Sequence, residues 1–150
     1  MMKRIRRSLE IKKEYIEKDE FDKGPRLVFN YGHSFGHAIE AATNFAIPHG
    51  IAVSIGCDMA NYCAFRLGIS TEQIWKSMST TLKANYQGYE KVEIPFESFI
   101  TALGKDKKNI GNDSFSLILP DQKAKIFKDS YSNNSTLRGF FKDFLTGLKN

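Results

Sequence analysis

The chain has 150 residues, of which 41% are hydrophobic and 26% are charged, with 11 glycines and 4 prolines. This size and composition fit one globular domain with its own core, and they exclude a disordered, collagen-like or low-complexity chain. No stretch reaches the roughly 18–20 consecutive apolar residues that cross a bilayer, and the charged N-terminus is unlike a signal peptide. We therefore expect a soluble, cytoplasmic protein without a membrane partner.

Positive charge is concentrated near the N-terminus. The net charge is +5, and residues 3–7 carry four basic side chains, whereas residues 10–22 mix basic with acidic side chains. Such mixing favours a solvated helix face over a nucleic-acid patch. The sequence has no RNA-recognition or zinc-finger signature. We expect no nucleic-acid partner, and a basic helical nucleic-acid binder is kept as an alternative.

Six segments have helical patterns. The first contains no glycine or proline before Gly24-Pro25, and the second has apolar residues three and four apart. The third is almost uncharged before Arg66, which is typical of a helix buried on most sides. The predicted helices are residues 5–21, Arg26 to about Phe45, about Gly50 to Leu67, Thr71 to about Ala84, Pro95 to Leu103 and Thr136 to Lys149.

Apolar residues begin to alternate late in the chain. Phe115–Pro120 and Lys125–Lys128 flank a turn-like pair of residues and predict two short antiparallel strands. The Ser- and Asn-rich stretch Ser130–Ser135 predicts a loop. The expected fold class is mainly α, with residues 1–150 forming a single domain of about six helices and one small antiparallel β-hairpin.

The three histidines of the chain fall within seventeen positions. His33 and His37 are four residues apart, so a helix would present both imidazoles on one face, as it does for a shared ion or ligand. Gly32 and Gly36 precede them, and glycines are costly in a helix unless another backbone or a ligand comes close. His49 stands at the start of the most apolar predicted helix. Two core histidines and one loop histidine are the alternative interpretation.

The sequence around these histidines resembles the hallmark stretch of the 3-dehydroquinate synthase family and its sugar-phosphate cyclase relatives. Residues 26–40 have the family order of Arg, Asn, aromatic, Gly-His-Ser-x-Gly-His-Ala-x-Glu, and residues 48–56 contain the later His-Gly. Flanking segments at residues 8–24 and 106–119 are also similar. The resemblance covers roughly residues 5–128, and it implies the C-terminal, helical half of those enzymes.

The resemblance implies a divalent metal ion and an anionic substrate. The ion, zinc or cobalt, would be held by His33 and His49, with an acidic ligand from the other domain. The substrate would be a sugar-acid phosphate. The residues at the matching positions would be Lys12, Arg26, Asn30 and Lys107 for substrate binding, with His37, Lys12 and Asn30 in catalytic roles.

The family reaction also needs NAD, and here the sequence departs from what catalysis requires. These residues contain no Gly-rich dinucleotide signature, so no cofactor-binding residue is assigned in this chain. The NAD would come from an N-terminal domain that the chain lacks. We expect the isolated chain to be inactive, as a truncated domain or a split gene product. A homodimer is left open.

Ile51 is a second departure, because the family usually has Glu directly after His-Gly. The loss of that carboxylate points to altered orientation of the metal site and to a cyclase relative with another sugar-phosphate substrate. The leading hypothesis is therefore one domain of a carbon–oxygen lyase. A non-catalytic metal- or anion-binding helical module is the other alternative.

Overall fold

A computed structural model describes residues 2–21, 24–105 and 113–148. In this part of the chain there are six α-helices, one 3-10 helix and one two-stranded antiparallel sheet, which confirms the expected mainly α fold. The chain forms two compact units, Met1–Asn30 and Tyr31–Asn150. The elements are α1 (Met2–Lys18), the 3-10 helix (Pro25–Asn30), α2 (His33–Ala42), α3 (His49–Arg66), α4 (Glu72–Tyr86), α5 (Phe96–Gly104), β1 (Ser114–Pro120), β2 (Ile126–Ser132) and α6 (Ser135–Gly147).

The first unit consists of α1 and the 3-10 helix. Ion pairs one turn apart line α1, such as Arg6 with Glu10 at 3.0 Å. The helix ends at Lys18, earlier than the predicted residue 21, and the Asp19 carboxylate that follows accepts backbone N–H groups of Gly24 and Arg26 at 2.7 and 3.1 Å. These bonds fix the turn that leads into the 3-10 helix.

The helix predicted from Arg26 to Phe45 is two elements in the structure. The 3-10 helix ends at Asn30 and α2 starts at His33, because Gly32 between them has φ 75°. This left-handed conformation is easy only for glycine and interrupts the helix. The spacing of apolar residues does not reveal the break.

Glycines allow α2 and α3 to pack with their backbones close together. A Cβ on Gly56 would overlap the carbonyl oxygen of Gly32 and lie 2.8 Å from the amide nitrogen of Gly36. A Cβ on Gly36 would lie 3.0 Å from the Cα of Val53. Gly32, just before α2, and Gly36, within it, therefore fit against α3, so that the close neighbour expected from the sequence is another backbone.

A buried carboxylate joins α3 to α4. Asp58 is 0% exposed. It accepts hydrogen bonds from the indole of Trp75 at 3.1 Å, the hydroxyl of Ser79 at 2.9 Å and the hydroxyl of Tyr86 at 2.6 Å. Three donors satisfy this charge in a helix that is otherwise mostly small and apolar.

The hairpin and α6 close the core of the second unit. The strands pair from Ser114 with Ser132 to Pro120 with Ile126. The predicted loop at 130–135 is therefore wrong at its start, since residues 130–132 continue β2. Among the described residues, the buried aromatic side chains of this core are Phe35, Phe99, Phe115, Phe141, Phe144 and Tyr86.

Within the described residues, none of the helices is both long enough and apolar enough to span a membrane.

Candidate metal centre

Helix α2 begins at the first histidine of the cluster. The left-handed turn at Gly32 directs the chain into the helix, whose first residue is His33. His37 lies one turn further along the same face, and the two ring centroids are 5.7 Å apart. The sequence spacing thus placed these two imidazoles side by side.

The connection between α2 and α3 brings His49 back to this pair. Helix α2 ends in a Schellman turn, in which the N–H of Phe45 donates to the carbonyl of Glu40 at 2.8 Å and Asn44 has φ 49°. Helix α3 then begins at His49. The His49 ring centroid lies 5.6 Å from each of the other two rings. The three imidazoles therefore form a nearly equilateral triangle.

Two of the rings have a polar partner at Nδ1. The Nδ1 of His33 lies 3.2 Å from the backbone carbonyl of Tyr31, and that of His49 lies 3.0 Å from Oε2 of Glu40. Because a carbonyl oxygen only accepts, His33 carries its proton on Nδ1, which leaves the lone pair on Nε2. Burial lowers the pKa of His33, although the bond to Tyr31 opposes this shift. His33 is therefore neutral at pH 7, as a metal ligand must be.

One group of three possible ligands is closely spaced. One ligand atom from each of His37, Glu40 and His49 lies within 4.8 Å of the other two. His33 is not in this group, although its ring is as close to His49 as that of His37 is. The predicted metal pair of His33 and His49 stays a prediction. The donors present, imidazole and carboxylate, suit zinc or cobalt.

Glu40 is a site residue that was not predicted from the sequence. Its carboxylate is buried, with the residue 8% exposed. Its spacing in the sequence could have identified it, since Glu40 follows His37 by three residues and His33 by seven and so lies on the same face of α2. Its contact with His49 depends on the turn after α2, which the residue pattern does not predict.

Further side chains surround Tyr31, whose carbonyl is the partner of His33. The hydroxyl of Tyr31 donates to Oδ1 of Asn61, and the thiol of Cys57 lies 3.6 Å from the Tyr31 carbonyl. Burial, together with the nearby Asp58 carboxylate, raises the pKa of Cys57 to about 11. The thiol is thus protonated at neutral pH when no metal ion is bound.

The predicted substrate-binding residues lie mainly in the first unit. Lys12 is exposed on α1, and Arg26 and Asn30 lie on the 3-10 helix. A guanidinium N–H of Arg26 donates to the backbone carbonyl of Glu20 at 2.9 Å. Lys107 lies outside the described residues. The roles of these four residues stay predictions.

Ile51 follows the histidine at the start of α3. Its side chain is half-buried and packs against the hydrophobic core of the second unit. The first turn of α3 therefore has an apolar group at the position where the resembling family has a carboxylate.

The chain that carries these histidines is similar in sequence to many named proteins. The chain is 36% identical over 124 residues to 3-dehydroquinate synthase of Campylobacter concisus, a match that covers 81% of this chain and 35% of that protein. It is 37% identical over 125 residues to 3-dehydroquinate synthase of Dictyoglomus thermophilum, covering 81% of this chain and 34% of that protein. The chain thus spans about a third of the length of these relatives.

Solved structures and a family description agree with these relatives. A structure of 2-deoxy-scyllo-inosose synthase complexed with carbaglucose-6-phosphate, NAD+ and Co2+ shares the fold, with a TM-score of 0.68 at 23% identity over 85% of this chain and 36% of that chain. The family described as 3-dehydroquinate synthase C-terminal matches residues 1–109. The chain therefore belongs to the 3-dehydroquinate synthase C-terminal domain family.

Proposed function

We propose that this chain is the metal- and substrate-binding domain of a carbon–oxygen lyase of the 3-dehydroquinate synthase type. Such an enzyme cyclises a heptulosonate or another sugar phosphate with loss of phosphate. In this proposal residues 1–150 act as one domain, and an N-terminal domain that is not in the chain binds NAD. The observation that carries the proposal is the triangle of three imidazoles with centroids 5.6–5.7 Å apart in a member of this family.

The imidazoles fit a divalent metal ion. His33 and His49 would hold it, together with an acidic ligand from the N-terminal domain. His33 supports this role because it is neutral and its Nδ1 is already bonded to a carbonyl, so Nε2 has a free lone pair. A bound ion supplies Lewis acidity, which acidifies a substrate hydroxyl and polarises a carbonyl.

The remaining residues of the site would handle the anionic substrate. The exposed ring of His37 lies beside the other two imidazoles, where it can share a proton with a leaving phosphate. Arg26 offers a planar pair of donors for a carboxylate or phosphate, while Lys12 and Lys107 offer mobile positive charges. Asn30 completes the proposed set with an amide that can orient a substrate hydroxyl.

A cyclase with another sugar-phosphate substrate is the second candidate. Ile51 favours it, because an apolar side chain packs where the family usually has a carboxylate beside the metal ligands. The shared fold with 2-deoxy-scyllo-inosose synthase, solved with carbaglucose-6-phosphate, is compatible with this candidate. The two candidates share a mechanism and differ in the polyol phosphate that fits the site.

The proposal is tested by phosphate release. The chain is fused to the N-terminal part of the Campylobacter concisus relative and supplied with NAD and Co2+. Heptulosonate and hexose phosphates are compared as substrates. We expect phosphate release that a chelator abolishes, and no turnover by the chain alone. Preference for the hexose phosphate would support the second candidate, whereas turnover insensitive to chelator would contradict both.

Variants of the fusion assign the roles. His33→Ala and His49→Ala should abolish activity, since each removes a proposed metal ligand. His37→Ala and Arg26→Ala should each cost about 2–4 kcal/mol of transition-state stabilisation, as the loss of a charge-assisted contact does. Lys76→Ala, an exposed lysine on α4, is the control and should retain activity. Full activity of the His33 variant would show that the metal assignment is wrong.

A further inference from the structure

Glu40 places a buried carboxylate against the ring of His49. Its Oε2 lies 3.0 Å from Nδ1 of His49, and the two side chains are 10% and 55% exposed. The carboxylate comes from the last turns of α2 and the imidazole from the first residue of α3. The contact therefore joins the two helices that carry the three histidines.

This contact determines where the proton of His49 resides. An ionised carboxylate can only accept a hydrogen bond, so Nδ1 of His49 must carry the hydrogen. In the neutral ring the lone pair is then on Nε2. We propose that Glu40 is a positioning residue, which fixes His49 in the tautomer and orientation whose Nε2 binds the divalent ion. This inference rests on the proposed function, in which His49 is a metal ligand.

His33 provides an internal comparison. Its Nδ1 is held in the same manner, but by the backbone carbonyl of Tyr31. Both proposed ligands thus have an acceptor at Nδ1 and a free Nε2, an arrangement by which proteins orient metal-binding histidines and raise their basicity. A substitution cannot remove the carbonyl, whereas it can remove the carboxylate. Glu40 is therefore the partner whose contribution can be measured.

A direct ligand role for Glu40 is the competing assignment. Its carboxylate, His37 and His49 have ligand atoms within 4.8 Å of one another. The positioning role is favoured because Oε2 lies at hydrogen-bond distance from Nδ1 of His49. The carboxylate is also buried, whereas the rings of His37 and His49 are exposed. The two assignments predict different behaviour of Glu40→Gln.

The test reads the tautomer of each histidine from ring nitrogen chemical shifts by NMR. Spectra of the 150-residue chain are recorded at about pH 9, where free imidazole is neutral. We expect the Nδ1–H tautomer for His49 in the wild type and in Glu40→Gln, whose amide oxygen still accepts a hydrogen bond. We expect Glu40→Ala to convert His49 to the Nε2–H tautomer that free histidine prefers. His33 should be unchanged in both variants.

Zinc affinity is measured on the same proteins by competition with a chromophoric chelator. Glu40→Ala should weaken binding by about 10- to 100-fold, as the loss of such an outer partner does, and Glu40→Gln should recover part of that loss. Glu97→Gln, the same change at an exposed position on α5, is the control. The free energy of unfolding is measured for each variant as a check on folding. If Glu40→Ala does not fold, the zinc affinity of Glu40→Gln still tests the inference.

The outcomes separate the inference from the proposed function. An unchanged His49 tautomer in Glu40→Ala, with zinc binding intact, would overturn the inference alone. Loss of zinc binding in Glu40→Gln as complete as in His49→Ala would also overturn it, because Glu40 would then be a ligand. If the chain alone binds no zinc, the same variants are compared in the fusion that supplies the acidic ligand. Absence of zinc binding in the wild type and all variants there as well would overturn the proposed function, and the metal role of Glu40 with it.

Discussion

Replacing Gly56 with alanine should separate α2 from α3 and destabilise the protein. The added Cβ would overlap the carbonyl oxygen of Gly32 and lie 2.8 Å from the amide nitrogen of Gly36, and both are backbone atoms that cannot rotate away. Overpacking of this kind costs about 1–3 kcal/mol, and more when backbone must move. Alanine recovers up to about 1 kcal/mol through its helix propensity. Because both clashing atoms belong to the backbone, the upper end of that cost applies, and we expect a net loss of about 2 kcal/mol. Such a loss lowers Tm by some 2–4 °C for each kcal/mol in a domain of this size.

Gly139→Ala is the matched control for this prediction. Gly139 lies inside α6, and a Cβ there meets nothing within 4 Å. The same substitution should therefore stabilise the protein by up to about 1 kcal/mol. Urea denaturation of both variants gives the two free energies of unfolding. Equal stability of Gly56→Ala and the wild type would refute the argument from backbone contact between α2 and α3.

Four further predictions concern the contacts of α4. Asp58→Ala should lower the free energy of unfolding by about 3–5 kcal/mol, because it leaves the buried donors of α4 without an acceptor. Tyr86→Phe should lower it by about 1.5–3 kcal/mol. A loss below 1 kcal/mol in Asp58→Ala, measured by urea denaturation, would contradict this. Burial, followed by the bond to Asp58, raises the pKa of Tyr86 above its ordinary value of 10.0. The folded state then keeps a proton that the unfolded state loses, so stability should be complete below pH 10 and decline as the pH rises above it, and a stability that is flat or rising there would be inconsistent with the shift. Thr71→Ala should cost about 1 kcal/mol, because the Thr71 hydroxyl accepts from the N–H of Ile74 at the N-terminus of α4. Thr80→Ala, at an exposed position within the same helix, should instead stabilise the protein by up to about 0.7 kcal/mol through the helix propensity of alanine, and a loss of stability in both variants would contradict the capping role.

Regular segments of the chain could be predicted because local patterns dictate them. The third predicted helix agrees with α3, whose apolar composition reflects burial on most sides, and the fifth agrees with α5. The break at Gly32 was missed because apolar spacing continues across it. The positive φ of Gly32 and the close approach of Cys57 and Val53, which explain the glycine, are not visible in the sequence. The end of β2 was missed because residues 130–132 are held by pairing with β1 and have no apolar alternation of their own.

Part of the candidate site could also be predicted, because local sequence patterns determine it. Helical spacing placed His33 beside His37, and the family resemblance added His49. The contact of Glu40 with His49 could not be predicted, because it depends on the turn that joins α2 to α3. Asp58 was likewise missed, since its donors lie 17–28 residues later in the chain.

Metal binding by the chain is the most direct test of the account. Co2+ is titrated into the wild type and the single alanine variants of His33, His37 and His49, and binding is followed by visible absorption. We expect weak binding of one ion, because in the proposed function the third ligand would come from outside the chain. Binding should be lost in His33→Ala and His49→Ala and retained in His37→Ala. Retention in His33→Ala together with loss in His37→Ala would contradict the account, since the ion would then be held by His37, Glu40 and His49.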